Sequence, residues 1–198
     1  AEDKIFHFQY PETKEFLSQI GIPLISWSIH DDEEIPNEAS SLIIPGGFPE
    51  KYADHISNSR KSLNSLREFR KNGFIYAECG GMMILGDLIK DENGKYHKMS
   101  GIMPFRSKKS KLTVGYRYIE GLKNTPIIKE NQSIRGHEFH YWEIENSSSK
   151  FDIGKDKHQN KLPSPWKIKS WENDYKNEGM FDNKLHASWI HLHLPSSP

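Results

Sequence analysis

Cys79, the single cysteine of the chain, lies in a setting where a cysteine can act as a nucleophile. A predicted buried strand, Phe74 to Ala77, runs into Glu78 and Cys79, and Gly80-Gly81 lead on to a helix predicted over Met82 to Leu88. A sharp turn between strand and helix exposes the side chain at its apex, and small neighbours relieve crowding there. Backbone N–H groups at the start of a helix favour a thiolate and stabilise an oxyanion. The local pattern leaves a buried structural cysteine open as the alternative.

A second glycine turn follows another short buried strand, Ser41 to Ile44, which ends at Pro45-Gly46-Gly47. Glycine lets a backbone N–H approach a ligand closely, and ligand sites in open α/β sheets form at the carboxyl ends of strands. Both glycine turns are therefore predicted at one edge of the sheet, although a plain β-turn is the ordinary explanation of a Gly-Gly pair. The chain contains no G-x-x-x-x-G-K-[ST] phosphate-binding motif.

Two histidines near the carboxyl terminus are candidates for the base that a cysteine hydrolase requires. His191 and His193 lie on a strand predicted over Leu185 to Leu194. Their spacing of two places both side chains on one face of that strand, so either histidine could serve.

The remaining pattern predicts an α/β fold, because strand and helix alternate through the first half of the chain. The sequence predicts a mostly parallel sheet with helices on both faces and added antiparallel strands, in one domain spanning residues 1–198. The other predicted elements are helices at Tyr10–Gly21 and Ser62–Lys71, a strand at Pro23–Trp27, antiparallel strands at Leu112–Ile119 and Ile134–Trp142, and loops from Asn146 to Asn177 around one short strand near Trp166–Ile168.

Charge and composition narrow the function. Lys plus Arg and Asp plus Glu each number 27, so the net charge is zero and offers no support for nucleic-acid or anionic-membrane binding. No apolar run approaches the roughly 20 residues needed to span a bilayer. A lone cysteine fits a reducing cytoplasm. The chain opens with Ala in what resembles the tail of a strand, and we expect it to be a fragment of a longer protein.

The motifs together resemble the class I glutamine amidotransferases, which have a flavodoxin-like fold, and specifically the branch found in cobyrinic acid a,c-diamide synthases. The resemblance covers nearly the whole chain, and its motifs occur in family order: IPGGFPE, YAECGGMMILG, MSGIMP, VGYRYIE, RGHEFHYWE and ASWIHLHL. It implies that glutamine is hydrolysed here to glutamate and ammonia. The ammonia would pass to an amino-terminal synthetase domain, where ATP activates the a and c carboxylates of cobyrinic acid for amidation in cobalamin biosynthesis.

Carried over by position, the resemblance makes Cys79 the nucleophile and His191 the base, with the backbone N–H groups of Gly47 and Gly80 as oxyanion donors. Many class I amidotransferases have a His-Pro-Glu sequence in which the Glu orients the His. In this chain that Glu position is His193, which leaves open what orients His191. ATP and magnesium are implied only in the synthetase domain, and no cofactor is expected in this chain.

The segment Arg135 to Glu143 invites a metal-site interpretation that its pattern does not support. On a strand, His137 and His140 point to opposite faces, and no nearby cysteine completes a closed zinc site. We therefore predict no metal here. His137 and Glu138 are instead candidate supporting residues of the glutamine pocket or of the face toward the synthetase domain, and structural hydrogen bonding is the alternative.

Three other functions remain open from the sequence. Close relatives amidate hydrogenobyrinic acid or nickel-sirohydrochlorin, and the resemblance discriminates poorly among these tetrapyrroles. The chain could also be an inactive amidotransferase-like interaction module, or a cysteine peptidase or hydrolase of the same superfamily. The expected partners are glutamine, the synthetase domain and a cobyrinic acid-type tetrapyrrole, and a homodimer is one oligomeric state that the resemblance allows.

Overall fold

The computed structural model describes residues 1–146, 162–171 and 174–196. Within these ranges the helices are α1 Pro11–Gln19, α2 Ala53–Asn58, α3 Arg60–Asn72 and α4 Gly80–Met83, with 3₁₀ helices at Pro49–Tyr52 and Leu194–Ser196. The strands are β1 Ser41–Ile44, β2 Phe74–Glu78, β3 Leu88–Lys90, β4 Tyr96–Lys98, β5 Phe105–Gly121, β6 Ser133–Asn146, β7 Trp166–Lys169, β8 Lys176–Glu178, β9 Met180–Asp182, β10 Leu185–Ser188 and β11 His191–Leu192. No helix in the described ranges is long and apolar enough to cross a membrane.

The strands form two sheets. The first has the order β1-β2-β10-β9, in which β1, β2 and β10 run parallel and only β9 is antiparallel. This confirms the predicted mostly parallel sheet, with the two short apolar strands as neighbours. Ser41 pairs with Phe74 and Ile44 with Ala77, so the glycine turns after β1 and after β2 leave the same edge.

The second sheet has the order β11-β6-β5-β3-β4, with β7 paired to β5 and β8 to β7. Its centre is the antiparallel pair β5–β6, which is longer than the sequence predicted and carries a register shift between Lys109 and Thr113. Such a bulge increases the local twist and bends the strand. The added antiparallel strands of the predicted fold are confirmed here.

The buried apolar side chains form two cores, and each core contains residues from both sheets. The larger core includes Ile44, Ala77 and Cys79, and the helix α3 covers part of it with its buried Leu66. The smaller core contains these buried apolar side chains: Tyr76, Ile119, Ile128, Ile134, Trp166, Ile168, Ile190 and Leu192. Because Trp189 belongs to the larger core and Ile190 to the smaller one, the carboxyl-terminal segment passes from one core to the other.

Several predicted elements are confirmed. Helix α1 lies within the predicted Tyr10–Gly21, and α3 extends the predicted Ser62–Lys71 by a few residues. Strand β7 matches the short strand predicted near Trp166. Most of the polar stretch around that strand, residues 147–161 and 172–173, lies outside the described residues.

The helix predicted over Met82–Leu88 is wrong in its extent. Helix α4 is a single turn, and Leu88 already belongs to β3. The backbone turns away because Gly86 packs against Phe105, where a methyl group would lie 2.5 Å from the ring. A four-residue helix contributes little macrodipole, so the electrostatic argument for Cys79 depends on the first backbone N–H group alone.

The strand predicted at Pro23–Trp27 does not form. Among the described residues, one backbone hydrogen bond joins this segment to another part of the chain, from Glu2 N to the Trp27 carbonyl at 3.0 Å. Leu24 and Ile25 are about half exposed, at 49% and 55%. An apolar run becomes a strand only where a neighbouring backbone completes the ladder, and this segment has no such ladder.

The last predicted strand, Leu185–Leu194, is broken into β10 and β11, which belong to different sheets. Between them, Trp189 N donates to Glu178 Oε1 at 2.9 Å and Ile190 N donates to Ser188 Oγ at 2.8 Å. Side-chain oxygens thus accept hydrogen bonds from the two backbone N–H groups that would otherwise continue the strand pairing of β10. The chain crosses from the first sheet to the second just before His191.

Candidate active site

Cys79 lies at the apex of the turn between β2 and α4 with φ 48° and ψ −112°. A positive φ is uncommon for a residue with a side chain and persists only where the surroundings enforce it. Here Cys79 N donates to the Ser188 carbonyl of β10 at 2.7 Å, and the Cys79 carbonyl accepts from Met82 N at 3.0 Å. The parallel sheet and the helical turn together hold the backbone in this conformation.

The two glycine turns are in direct contact beside Cys79. A methyl group on Gly80 would lie 2.5 Å from the Gly47 carbonyl oxygen, and one on Gly81 would lie 2.2 Å from the Ile44 carbonyl oxygen. Only glycine allows backbones to approach this closely. The predicted meeting of both turns at one sheet edge is therefore confirmed, and the reason is the parallel pairing of β1 with β2.

The sulfur of Cys79 is buried and electrostatically unfavourable for a thiolate. Only 7% of the residue is exposed, and Sγ lies 3.7 Å from the Phe139 carbonyl oxygen of β6. Burial raises the pKa of the thiol to about 12; the Gly80 N–H opposes this shift, whereas the carboxyls of Glu78 and Glu50 add to it. In this conformation Cys79 is a neutral thiol at neutral pH.

His191 enters the site from the second sheet. Strand β11 pairs antiparallel with β6, which sets His191 opposite His137, and the two imidazoles stack with centroids 4.9 Å apart. The ring of Phe8 packs edge-on at 4.8 Å. A methyl group on Gly46 would lie 2.3 Å from His191 Cε1, so the first glycine turn also makes room for this ring. His191 is 3% exposed, and packing fixes its orientation.

His193 lies just beyond β11, and its ring packs edge-on against Tyr10 at 5.0 Å. Both histidines line one cavity of about 340 Å³ on the second sheet, in agreement with the predicted shared face. The other residues lining this cavity are Tyr10, Tyr116, Arg117, Tyr118, Arg135, Gly136, His137 and Trp171. The structure thus brings Cys79 and both glycine turns together and packs His191 against Gly46 of the first turn, whereas His193 packs against Tyr10.

Glu78 is a site residue that the sequence analysis did not single out. Its Oε2 lies 3.6 Å from Nδ1 of His191, and its Oε1 accepts from the Tyr76 hydroxyl at 2.6 Å and from Leu192 N at 3.1 Å. It is 6% exposed. The available signal was a carboxylate as the last residue of an otherwise apolar strand, which is costly unless the carboxylate has partners.

Tyr10 and Phe8, in the amino-terminal segment, are two further residues of the site that were not predicted from the sequence. The Tyr10 hydroxyl lies 3.1 Å from His137 Nδ1. Burial, and then the neighbouring His191, lower the pKa of His137, so two stacked imidazolium ions are disfavoured.

Glu138 and His140 form a separate group on the other face of β6. Glu138 is 1% exposed and pairs with Arg117 Nε at 2.5 Å, while His140 stacks on Trp189 at 4.2 Å. Burial opposes ionisation of Glu138, but His140, Lys176 and Arg117 outweigh it and leave the pKa of the carboxyl below its usual value. The predicted opposite orientation of His137 and His140 is confirmed, since one faces His191 and the other faces Trp189.

The described residues contain no group of three or more His, Cys, Asp or Glu side chains that could hold a metal ion.

The fold belongs to a known class. Two crystal structures of glutamine amidotransferases superpose on this chain: one covers 91% of it with a TM-score of 0.54 at 14% identity, and one from Thermotoga maritima covers 90% with a TM-score of 0.55 at 11% identity. At these identities the similarity establishes the amidotransferase fold.

The chain belongs to the family of CobB/CobQ-like glutamine amidotransferase domains, whose model matches residues 6–198. It is 34% identical to the cobyrinate a,c-diamide synthase of Listeria innocua and 30% identical to that of Syntrophotalea carbinolica, in each case over all of this chain. A third synthase, from Caldanaerobacter subterraneus, is 32% identical. The chain spans only 41–42% of the length of these relatives.

Proposed function

We propose that this chain is the glutamine-hydrolysing domain of a cobyrinate a,c-diamide synthase, with Cys79 as nucleophile and His191 as base. The observation that carries the proposal is the position of Cys79, which lies in a strained turn where the Gly47 and Gly80 backbones touch. His191, packed on Gly46, approaches this turn from the other sheet. Strained turns of this kind with a nearby histidine are typical of enzymes that use a covalent nucleophile.

The chemistry follows from these positions. His191 takes the proton from Sγ of Cys79, and the thiolate attacks the side-chain amide carbon of glutamine. The tetrahedral oxyanion that forms accepts hydrogen bonds from the N–H groups of Gly80 and Gly47. His191 returns its proton to the departing nitrogen, which leaves as ammonia. A water molecule, deprotonated by the same histidine, then hydrolyses the glutamyl thioester to glutamate and regenerates the thiol.

The sulfur of Cys79 is buried in the resting domain. This supports the view that the domain becomes active only when its site is completed. The pKa of Cys79 near 12 leaves a very small thiolate fraction at pH 7. Substrate or a partner domain must displace the Phe139 carbonyl from the sulfur before attack. The isolated chain should therefore show low glutaminase activity and no ATP turnover.

The ammonia acceptor lies, under this proposal, in a synthetase domain that uses ATP and magnesium to activate the a and c carboxylates of cobyrinic acid. The synthase names of the relatives support this assignment. Thiols stay reduced in the cytosol, and a free catalytic cysteine therefore supports a cytoplasmic location.

The nucleophile is tested by Cys79→Ser and by labelling with 6-diazo-5-oxo-norleucine, a reactive glutamine analogue. We expect the variant to lose glutaminase activity, to keep its fold by circular dichroism, and to take no label. Amidation by the intact protein should survive when ammonia is supplied. A label found by mass spectrometry on any residue other than Cys79 would overturn the assignment.

The base is tested by comparing two matched variants. His191→Ala should cost roughly 10³-fold in the glutaminase rate, as expected for loss of a general base that also activates the nucleophile, whereas His193→Ala should cost less than about 10-fold. If His193→Ala lost more of the glutaminase rate than His191→Ala, His193 would be the base instead of His191.

The acceptor is tested with the intact protein, glutamine and ATP against cobyrinic acid, hydrogenobyrinic acid and nickel-sirohydrochlorin. Amidation of cobyrinic acid at its a and c carboxylates is the expected result. Preferential amidation of another tetrapyrrole would change the substrate but keep the domain function. Absence of both glutaminase activity and labelling would instead support an inactive interaction module.

A further inference from the structure

The imidazole of His191 is fixed by packing but lacks a close polar partner on one side. The rings of Phe8 and His137 pack against this imidazole, and Gly46 packs against its edge. Its Nδ1 is nevertheless buried and has no hydrogen-bond partner among the described residues. Buried polar atoms in native proteins are nearly always satisfied, and an exception requires an explanation. Packing alone fixes the plane of the ring but does not select which nitrogen carries the proton.

A carboxylate faces this unsatisfied nitrogen. Oε2 of Glu78 lies 3.6 Å from His191 Nδ1, slightly beyond hydrogen-bond length. Catalytic hydrogen bonds are often long before substrate binds and shorten in the reacting complex. Both groups are nearly excluded from water, so their mutual attraction is little screened.

Glu78 is also attached to the strand that carries His191. Its Oε1 accepts from the backbone N–H of Leu192, the residue after His191, and from the hydroxyl of Tyr76. These two hydrogen bonds hold one carboxylate oxygen and turn the other toward the imidazole. Glu78 is the last residue of β2 and directly precedes Cys79. A single residue therefore links the strand that leads to the nucleophile with β11, the strand that carries the base.

We propose that Glu78 is the positioning residue of His191, supplied from the residue before the nucleophile because position 193 is His rather than Glu. The inference rests on the proposed function. The carboxylate holds the Nδ1–H tautomer, which leaves the Nε2 lone pair as the acceptor for the Cys79 proton. Once the proton has moved from Sγ to Nε2, the imidazolium lies beside the Glu78 carboxylate, which stabilises it without itself becoming protonated.

The decisive variant is Glu78→Gln, which keeps the shape and the acceptor oxygen for Leu192 N and Tyr76. Its amide nitrogen would donate to His191 Nδ1 and so favour the tautomer with the proton on Nε2, which cannot act as base. The amide replacement of the carboxylate in the Ser-His-Asp triad lowers kcat by about 10⁴-fold through this effect. We expect a loss of about 10²- to 10⁴-fold in kcat here, with KM for glutamine changed less than about threefold.

Two further variants separate positioning from anchoring. Tyr76→Phe removes one hydrogen bond from Glu78 but keeps its charge, and it should lower kcat by less than about 10-fold. Glu78→Asp keeps the charge one methylene farther away, and it should retain the native tautomer with an intermediate kcat. A loss in Tyr76→Phe as large as that in Glu78→Gln would show that Glu78 is only a structural anchor, and would overturn the proposal.

The tautomer is measured directly by ¹⁵N NMR of the histidine rings in the intact protein, with the His191 signals assigned by their absence in His191→Asn. We expect Nδ1–H in the parent protein and Nε2–H in Glu78→Gln. An unchanged tautomer in Glu78→Gln would refute the positioning role whatever the activity. If the intact parent protein has no glutaminase activity but the tautomer still changes in Glu78→Gln, the proposed function would be refuted and the positioning of His191 by Glu78 would stand.

Discussion

The two sheets position their contributions to the site in different ways. Strands β2 and β10 of the first sheet are buried almost throughout, and the turn after β2 is packed so tightly that methyl groups on its glycines would collide with neighbouring backbone. In the second sheet the long strands β5 and β6 leave large side chains in solvent, among them Tyr116, which is 77% exposed. The candidate nucleophile is thus held by a tightly packed backbone turn, and the candidate base is held by the pairing of β11 with β6.

A buried carboxylate joins the two regions. Glu178 accepts from Trp166 Nε1 and Ser188 Oγ, each at 2.6 Å, and from Trp189 N. Burial raises the pKa of Glu178, and these three hydrogen bonds oppose that rise. The site therefore depends on a polar crossing between two apolar cores, where each unsatisfied polar group would be costly.

The largest expected effect concerns the buried thiol of the first sheet. Because burial raises the pKa of Cys79 to about 12, we expect iodoacetamide to alkylate it roughly 10³-fold more slowly at pH 8 than an ordinary cysteine. The rate should keep rising with pH beyond 10. Mass spectrometry of timed samples measures it, with Lys61→Cys in a Cys79→Ala background as the exposed control. A plateau near pH 8 would contradict the buried neutral thiol.

The tight packing of the first sheet is tested by a pair of glycine substitutions. Gly81→Ala places a methyl group 2.2 Å from the Ile44 carbonyl oxygen and should lower the free energy of unfolding by about 3 kcal/mol. Gly94→Ala, in the β3–β4 turn of the second sheet, meets nothing closer than 3.7 Å and should cost only about 1 kcal/mol for its φ of +86°. Urea denaturation compares them, and equal costs would remove the contrast between the sheets.

A pH-dependent effect of intermediate size is expected at His186 on β10. Neither ring nitrogen has a hydrogen-bond partner among the described residues, and burial lowers the pKa of this imidazole to about 3. Below its ordinary pKa near 6.5 the unfolded chain takes up a proton that the folded protein refuses. Stability due to neutral His186 is therefore lost as pH falls from about 6.5 toward 3.

His186→Leu should abolish that loss. Its unfolding free energy relative to the parent protein should rise by about 2 kcal/mol between pH 8 and pH 5, because each pH unit below 6.5 costs the parent about 1.4 kcal/mol. Thermal or urea denaturation at the two pH values measures the change, and pH 8 is the internal control. If the difference in unfolding free energy between the two proteins is the same at both pH values, His186 takes up its proton in the folded protein as readily as in the unfolded chain.

The smallest effect belongs to the surface of the second sheet. Glu120 on β5 and Lys167 on β7 are register partners with their charged atoms 2.7 Å apart, and each side chain is partly exposed. Glu120→Gln should cost about 0.5 kcal/mol, and the cost should shrink in 1 M salt because exposed ion pairs are screened. A cost above about 2 kcal/mol, or one that salt does not change, would contradict a solvent-exposed pair.

Much of the first sheet was predictable from the sequence because its determinants are local. The apolar runs Ser41–Ile44 and Phe74–Ala77 are followed by glycine turns, and both form strands, the first with the predicted ends and the second extended by one residue to Glu78. Helix α3 follows from its apolar spacing. The contact between the glycine turns follows from the parallel pairing of these two strands.

Predictions failed where an element depends on a distant partner. Leu185–Leu194 has the pattern of one strand, but Glu178 and Ser188 take two of its N–H groups and split it between the sheets. Pro23–Trp27 has the apolar content of a strand and lacks the backbone ladder that makes one. Hydrogen-bond partners far away in sequence leave no trace in local periodicity, which explains both errors.

The sequence by itself determined that a cysteine would stand at a glycine-lined edge of a parallel sheet, and that a histidine would come from the carboxyl terminus. Only the tertiary structure decided which groups surround that histidine. Glu78 lies 3.6 Å from His191 Nδ1 although 113 positions separate the two residues in the chain. That approach requires β10 to pair with β2 and β11 to pair with β6, so that the backbone crosses between the two sheets directly beside the nucleophile.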